Sequence, residues 1–367
     1  MIPLSVPEMK GNEWKYIKEC LDTNWVSSSG SYVDLFEKKF GEYIGTEKAV
    51  VTVNGTAALH LALVSLGIHE GDEVIVSSLT FIATVNAIRY VGAIPVFVDV
   101  CRDTFVMDAE KVEELVTDRT KAILPVHVYG HPVDMDAITD IAERHHLYVI
   151  EDATESLGSK YKGRNTGTIG HAGCFSFNGN KLITTGGGGM LVTNDPAVGE
   201  KVKYLSCQAK TVTGNGGFIH DEIGYNYRMP NVLAAIGVAQ LEKIEQFTAI
   251  KRNNADFYSE LLEGIDGITM PVEKPWAENV QWLYSIVVED QFPISRDDLI
   301  ILLKQSKIES RPFFIPIHTM KPFKHFPCGS MDITNELSMK GINLPSSVSL
   351  TREQIRGIVD TIRMSLM

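Results

Sequence analysis

The chain has 367 residues, a length that fits two domains or one large α/β domain with a smaller one appended. Its 34 Lys and Arg against 46 Asp and Glu leave a net charge of −12 with no basic block, which excludes the electrostatic footprint of a nucleic-acid binder or of a protein bound to an anionic membrane. Hydrophobic residues at 44% and charged residues at 22% are ordinary globular usage and exclude a chain dominated by disorder.

Five widely spaced cysteines, Cys20, Cys101, Cys174, Cys207 and Cys328, include no C-x-x-C pair. This is the usage of a reducing compartment, with no disulfide framework and no metal site. The first residues lack a basic stretch followed by an apolar one, and no apolar run reaches the roughly 18 residues of a membrane span. The expectation is a cytoplasmic protein with no membrane partner.

In chain order, β-branched runs at 49–53, 73–77, 94–99, 121–126, 147–151, 173–177 and 189–193 predict strands. Apolar residues at three- and four-residue spacing predict helices at 56–66, 83–91, 134–145 and 196–205. This alternation predicts an α/β fold with a mostly parallel central sheet, helices on both faces, and ligands gathered at the carboxyl ends of the strands. A polar, Gly-rich stretch at 208–221 predicts a mobile loop near a site. A long helical run at 231–262 then leads to a strand at 283–288 and helices at 296–305 and 351–364. The expected division is a large α/β domain over 1–245 and a small α+β domain over 246–367.

Three segments carry candidate chemistry. In Val51-Thr52-Val53-Asn54-Gly55-Thr56-Ala57 a strand turns into a helix, and the first-turn amides with the Thr56 hydroxyl form an anion cradle; an ordinary capped helix is the other reading. Val149-Ile150-Glu151-Asp152-Ala153 ends an apolar strand in two acids, where an open sheet keeps its site, though a helix cap reads the same. Lys181 follows Ser176-Phe177-Asn178-Gly179-Asn180 as a lone cation ahead of four glycines, and desolvation would lower its pKa; an isolated lysine is otherwise a solvated surface residue. Glycines 186–189 are not a dinucleotide fingerprint, since no G-x-G-x-x-G opens a helix there. Asp152 lies 97 residues after Gly55, and Lys181 lies 29 residues after Asp152. Together they are the parts that hold pyridoxal 5′-phosphate: a phosphate cradle, an acid that keeps the ring nitrogen protonated, and an amine for a Schiff base.

With these segments, Trp25-Val26-Ser27-Ser28-Ser29-Gly30, Thr80-Phe81-Ile82-Ala83-Thr84, Val126-His127-Val128-Tyr129-Gly130 and Gly224-Tyr225-Asn226-Tyr227-Arg228-Met229 make the chain resemble the fold-type-I sugar aminotransferases of the DegT/DnrJ/EryC1/StrS group along almost its whole length. The resemblance implies Lys181 as Schiff-base lysine and proton shuttle, Asp152 as partner of the ring nitrogen, and Phe81 as the stacking aromatic. It implies phosphate or cofactor contacts for Gly55, Thr56, Ala57, Ser176 and Asn178. Asn226 matches an asparagine that reaches the phosphate of the neighbouring subunit, which implies a homodimer with shared sites. Glu155 stands where many members carry Gln beside the cofactor's phenolic oxygen, and a carboxyl there must be protonated or hydrogen-bonded.

The implied reaction takes an amino group from L-glutamate, passes through pyridoxamine phosphate, and aminates C4 of a nucleotide-linked 4-keto-6-deoxyhexose. The opening residues are similar to enzymes acting on a UDP-2-acetamido-4-keto sugar, and similarity to GDP-perosamine synthases is nearly as good. A diphosphate substrate and a protein charge of −12 require local cations, and Arg228, Arg311 and His318 are the candidates. A nicotinamide-dependent sugar oxidoreductase would need the missing glycine fingerprint. A related dehydratase would carry His at position 181, and a regulatory protein would tolerate loss of Lys181 or Asp152.

Overall fold

The computed structural model describes residues 1–366. Seven strands, β1 (Lys48–Thr52), β2 (Glu73–Ser77), β3 (Ile94–Val98), β4 (Thr120–Leu124), β5 (Tyr148–Asp152), β6 (Ala172–Ser176) and β7 (Gly189–Thr193), form one sheet in the order β1-β7-β6-β5-β4-β2-β3. Only β7 runs against its neighbours, β1 and β6. The central strands are short and buried along their length, as a sheet covered on both faces requires.

Helices α1 (Glu13–Asp22), α2 (Ser31–Ile44), α3 (Gly55–Ser65), α4 (Ile82–Tyr90), α5 (Met135–His145), α6 (Pro196–Ser206), α7 (Asn231–Leu241) and α8 (Ile244–Leu262) follow. Helix α3 buries Ala58, Leu59, Leu61, Ala62 and Leu63 all round, so it is clamped against the sheet and its start cannot drift. A second, antiparallel sheet contains β8 (Ile268–Thr269), β9 (Tyr284–Val288), β10 (Arg311–Pro312) and β11 (Gly341–Leu344) in the order β8-β9-β11-β10. Helices α9 (Arg296–Gln305), α10 (Asp332–Lys340) and α11 (Arg352–Met364) accompany it.

The predicted strands fall within two residues of those observed. The run at 231–262 breaks at Glu242 and Lys243 into α7 and α8, and the change from one core to the other comes within α8. Glu242 is held to α1 by Asn12 and Tyr16, each at 2.7 Å. Beyond the break, Ile244 and Phe247 still pack in the large core, whereas Ala255, Tyr258 and Leu262 pack in the core of the second sheet. The stretch at 208–221 contains an exposed hairpin, Lys210–Val212 paired with Phe218–His220, and none of it lines the cleft described below. Helices α1 and α2 had no counterpart in the sequence reading. No helix among the described residues is long and apolar enough to cross a membrane.

Candidate active site

A cleft of about 360 Å³ opens at the carboxyl ends of the central strands and meets the second sheet at β10 and β11. Of the residues expected at a site, Gly55, Thr56, Phe81, Asp152, Glu155, Ser176, Asn178, Lys181 and Arg311 line it.

Strand alternation separates the two acids that end β5. Glu151 is fully buried and accepts the amides of Gly167, Ile169 and Gly170 at 2.6–2.7 Å and His127 Nε2 at 3.0 Å. Burial alone would raise its carboxyl, but His127 and the amides outweigh burial and hold it below the usual carboxylate range. Glu151 therefore pins a loop. Asp152 faces the cleft and accepts Thr84 Oγ1 at 2.6 Å and the Thr154 amide at 3.1 Å. Those two donors fix its carboxylate plane at the cleft wall.

Lys181 sits in the turn between β6 and β7, its Nζ 3.5 Å from Glu155 Oε1 and 3.9 Å from the centre of the Trp282 ring. Burial pushes the amine below the ordinary lysine value, against the pull of Glu155 and Asp152. Burial likewise raises the Glu155 carboxyl, against the pull of Lys181 and of the Tyr129 amide, which donates to Oε2 at 3.0 Å. Both shifts favour the uncharged pair, which is the state in which a lysine attacks a carbonyl.

On the opposite wall α3 begins. Asn54 caps it by accepting the Ala57 amide at 2.8 Å, which leaves the first-turn amides of Gly55 and Thr56 outside that cap, in residues that line the cleft with Ser176. A Cβ on Gly189 would lie 2.5 Å from the Asn54 carbonyl carbon, so only glycine lets β7 pass beneath this turn. Phe81 is 56% exposed beside the cleft, an aromatic face left open in a region otherwise packed.

Four expectations lie elsewhere. The Ala57 amide is already taken by Asn54, and Ala57 does not line the cleft. Arg228 is buried in an ion pair with Glu37 of α2, which also accepts the Val51 amide, and it does not line the cleft of its own chain. His318 faces Ser78, with Nδ1 2.8 Å from its hydroxyl, and burial lowers its pKa; it does not line the cleft. Asn226 is exposed outside the cleft of its own chain, bridged to Cys207 through the backbone.

Several lining residues carried no assignment beforehand. Tyr129 accepts the Phe314 amide at 3.3 Å and stacks on that ring at 5.4 Å and 18°. Trp282 donates its indole N–H to the Asn180 carbonyl at 2.9 Å. Asn343 sits across from Arg311 in the β10–β11 pairing. A string such as Val126-His127-Val128-Tyr129-Gly130 marks Tyr129 only by motif; nothing local marks Trp282.

The side chains fit pyridoxal phosphate. Two free amides at a helix start with the Ser176 hydroxyl suit a phosphate, a fixed carboxylate suits a ring nitrogen, and a desolvated amine suits an aldehyde. Among the described residues no cluster of three or more His, Cys, Asp or Glu is placed to hold a metal ion.

Such a cleft at the strand ends of a mostly parallel sheet defines a fold-type-I pyridoxal-phosphate enzyme. The profile of the DegT/DnrJ/EryC1/StrS aminotransferase family matches residues 7–363, and the chain belongs to that family; it is a pyridoxal-phosphate-dependent sugar aminotransferase. The chain is 45% identical over 361 residues to the GDP-perosamine synthase of Escherichia coli O157:H7, covering 98% of this chain and 97% of that one. It is 43% identical over 359 residues to the GDP-perosamine synthase of Caulobacter vibrioides, covering 98% and 96%. Among solved structures, the PMP-form of Spr1654 from Streptococcus pneumoniae superposes with a TM-score of 0.94 at 26% identity, covering 100% of this chain and 99% of that one.

Proposed function

We propose that this enzyme transfers the amino group of L-glutamate to C4 of GDP-4-keto-6-deoxymannose, forming GDP-perosamine. The observation that carries this reading is the 40–45% identity to three GDP-perosamine synthases over 98–99% of the chain, from one end of the cleft-forming segments to the other. It is preferred to the UDP-2-acetamido-4-keto sugar that the opening residues favour, since likeness along the whole chain outweighs likeness over a short N-terminal stretch.

When bound, pyridoxal phosphate supplies a carbonyl that accepts the amino group and a ring that takes up negative charge as a C–H bond breaks. The chain's own residues do the rest. The Gly55 and Thr56 amides with the Ser176 hydroxyl would hold the phosphate, and the Asp152 carboxylate, held by Thr84 and Thr154, would keep a proton on the ring nitrogen. Lys181 Nζ, whose pKa burial lowers, would take the proton from the donor's Cα and later deliver one to C4 of the sugar. Glu155 holds a hydrogen bond beside that amine, and the Tyr129 amide keeps its carboxyl in place. Phe81 offers an open aromatic face for stacking. Arg311, which lines the cleft from β10, receives a phosphate oxygen of the nucleotide. Asn226, exposed on its own chain, completes the phosphate site of a second subunit in a homodimer.

The test is incubation of the cofactor-loaded protein with glutamate and GDP-, UDP- and dTDP-linked 4-keto-6-deoxy sugars, with mass spectrometry reading the ketone-to-amine change. Conversion of the GDP sugar is expected. Conversion of the UDP-2-acetamido sugar alone would overturn the nucleotide assignment, and conversion of none would overturn the reaction.

A further inference from the structure

Helix α8 presents Ile244, Phe247, Lys251, Ala255, Tyr258 and Leu262 on one buried stripe. The spacing of three and four residues is that of a core-facing face, and one member of it is a lysine. Lys251 is 4% exposed, and its Nζ donates to the carbonyls of Trp282 and Ser346, both at 2.5 Å. No carboxylate pairs with it among the described residues. A lysine in that setting is costly to bury, and its bonds to the two carbonyls offset part of that cost while tying α8 to both segments.

What they hold is traceable bond by bond. Trp282 donates its indole N–H to the Asn180 carbonyl at 2.9 Å and lays its ring 3.9 Å from Lys181 Nζ. Ser5 Oγ donates to the same Asn180 carbonyl at 2.9 Å. Leu4, next to it, accepts the Ser346 amide at 2.7 Å, which returns the path to Lys251. Two turns along α8, Tyr258 donates its hydroxyl to the Pro345 carbonyl at 3.0 Å and fixes the same turn. The links close a ring of hydrogen bonds around the residue that precedes the reactive lysine.

We propose that Lys251 is a positioning residue for the transamination: from α8 it clamps the Trp282 segment and the 344–346 turn, and so seats the Trp282 ring as the wall that keeps water from the Lys181 amine. This rests on the reading of Lys181 as the reactive amine. Burial also pushes the Lys251 amine down to about 7, and an uncharged amine still has two N–H groups for the two carbonyls it meets. The groups that face Lys181 are Glu155 and Asp152 from the β5 end, with the Trp282 ring on the other side.

Loosening the Trp282 wall has two opposed effects on Lys181. It removes a cation–π contact that favours the charged amine, worth about 0.5–2 kcal/mol, and it removes desolvation, which in full burial shifts a lysine by up to about 3–5 pH units. Desolvation is the larger effect, so the amine should become harder to deprotonate. In the cofactor-free full chain, trace acetylation with acetic anhydride across a pH series, read at each lysine by mass spectrometry, gives the midpoint at which each amine becomes reactive. In Lys251→Met the Lys181 midpoint should rise by about one unit, seen as about tenfold less acetylation below both midpoints. Trp282→Phe, which keeps Lys251 and loses the indole N–H, should move it the same way. An unchanged midpoint in folded Lys251→Met overturns the proposal, and if that variant does not fold, an unchanged midpoint in Trp282→Phe does so. If Lys181 in the unaltered protein reacts no faster at neutral pH than exposed lysines, the assignment of the reactive amine fails instead.

Discussion

At the scale of the residue, the site depends on two groups that burial drives toward neutrality and that sit too close to act alone. Glu155 raises the Lys181 amine while burial lowers it, and burial prevails. Replacing Glu155 by Gln keeps an oxygen for the Tyr129 amide and removes the negative charge. The charged form of Lys181 then loses its partner, so its pKa falls further, and the acetylation midpoint of Lys181 should move to lower pH. A midpoint that rises, or stays where it was, would show that the pair is not coupled. Glu155 is marked in the sequence only through the family resemblance, as a carboxyl where many members carry Gln. Its bond to the backbone of Tyr129 is not marked at all, since Tyr129 takes a positive φ of 55° that no local propensity announces.

At the scale of the element, the motifs that were legible are those whose chemistry lies within one strand-turn-helix unit. Asn54, Gly55 and Thr56 make a helix start, Asp152 ends a strand, and Lys181 follows one; each reads locally and each lines the cleft. Arg228 lies outside the cleft for the complementary reason. Its place in Gly224-Tyr225-Asn226-Tyr227-Arg228 suggests a site loop, but its partner, Glu37, lies 191 residues earlier on α2 and is invisible to any local pattern. The ion pair clips the 224–229 segment to α2 and the end of β1. Arg228→Met should therefore leave Glu37 buried with only the Val51 amide and Lys203, at 3.7 Å, for company. The expected cost is about 3 kcal/mol, at the low end for a broken buried pair, read as a lower urea midpoint, with the KM for sugar nucleotide unchanged in the folded fraction. A raised KM at unchanged stability would restore Arg228 to the substrate.

At the scale of the whole molecule, a protein of net charge −12 must bind a nucleotide diphosphate against its own field, so the attraction has to be local and placed where both sheets meet. Lys181 and Arg311 are the lysine and arginine side chains that line the cleft, and they come from different sheets: one from the turn after β6, the other from β10. If Lys181 is committed to the chemistry, as proposed above, Arg311 is the cation left to meet the phosphates. The proposed donor, glutamate, carries no phosphate and reacts in the other half-reaction, so the two substrates should respond differently when Arg311 is lost. A charge-assisted hydrogen bond is worth about 1.5–3 kcal/mol, so Arg311→Ala should raise the KM for the nucleotide sugar about 10- to 100-fold while that for the amino donor changes little. Steady-state kinetics with each substrate varied in turn decides it. Equal increases in both would mean that Arg311 shapes the cleft without touching the nucleotide, and the diphosphate would then have to be met by a residue supplied from a second copy of the chain.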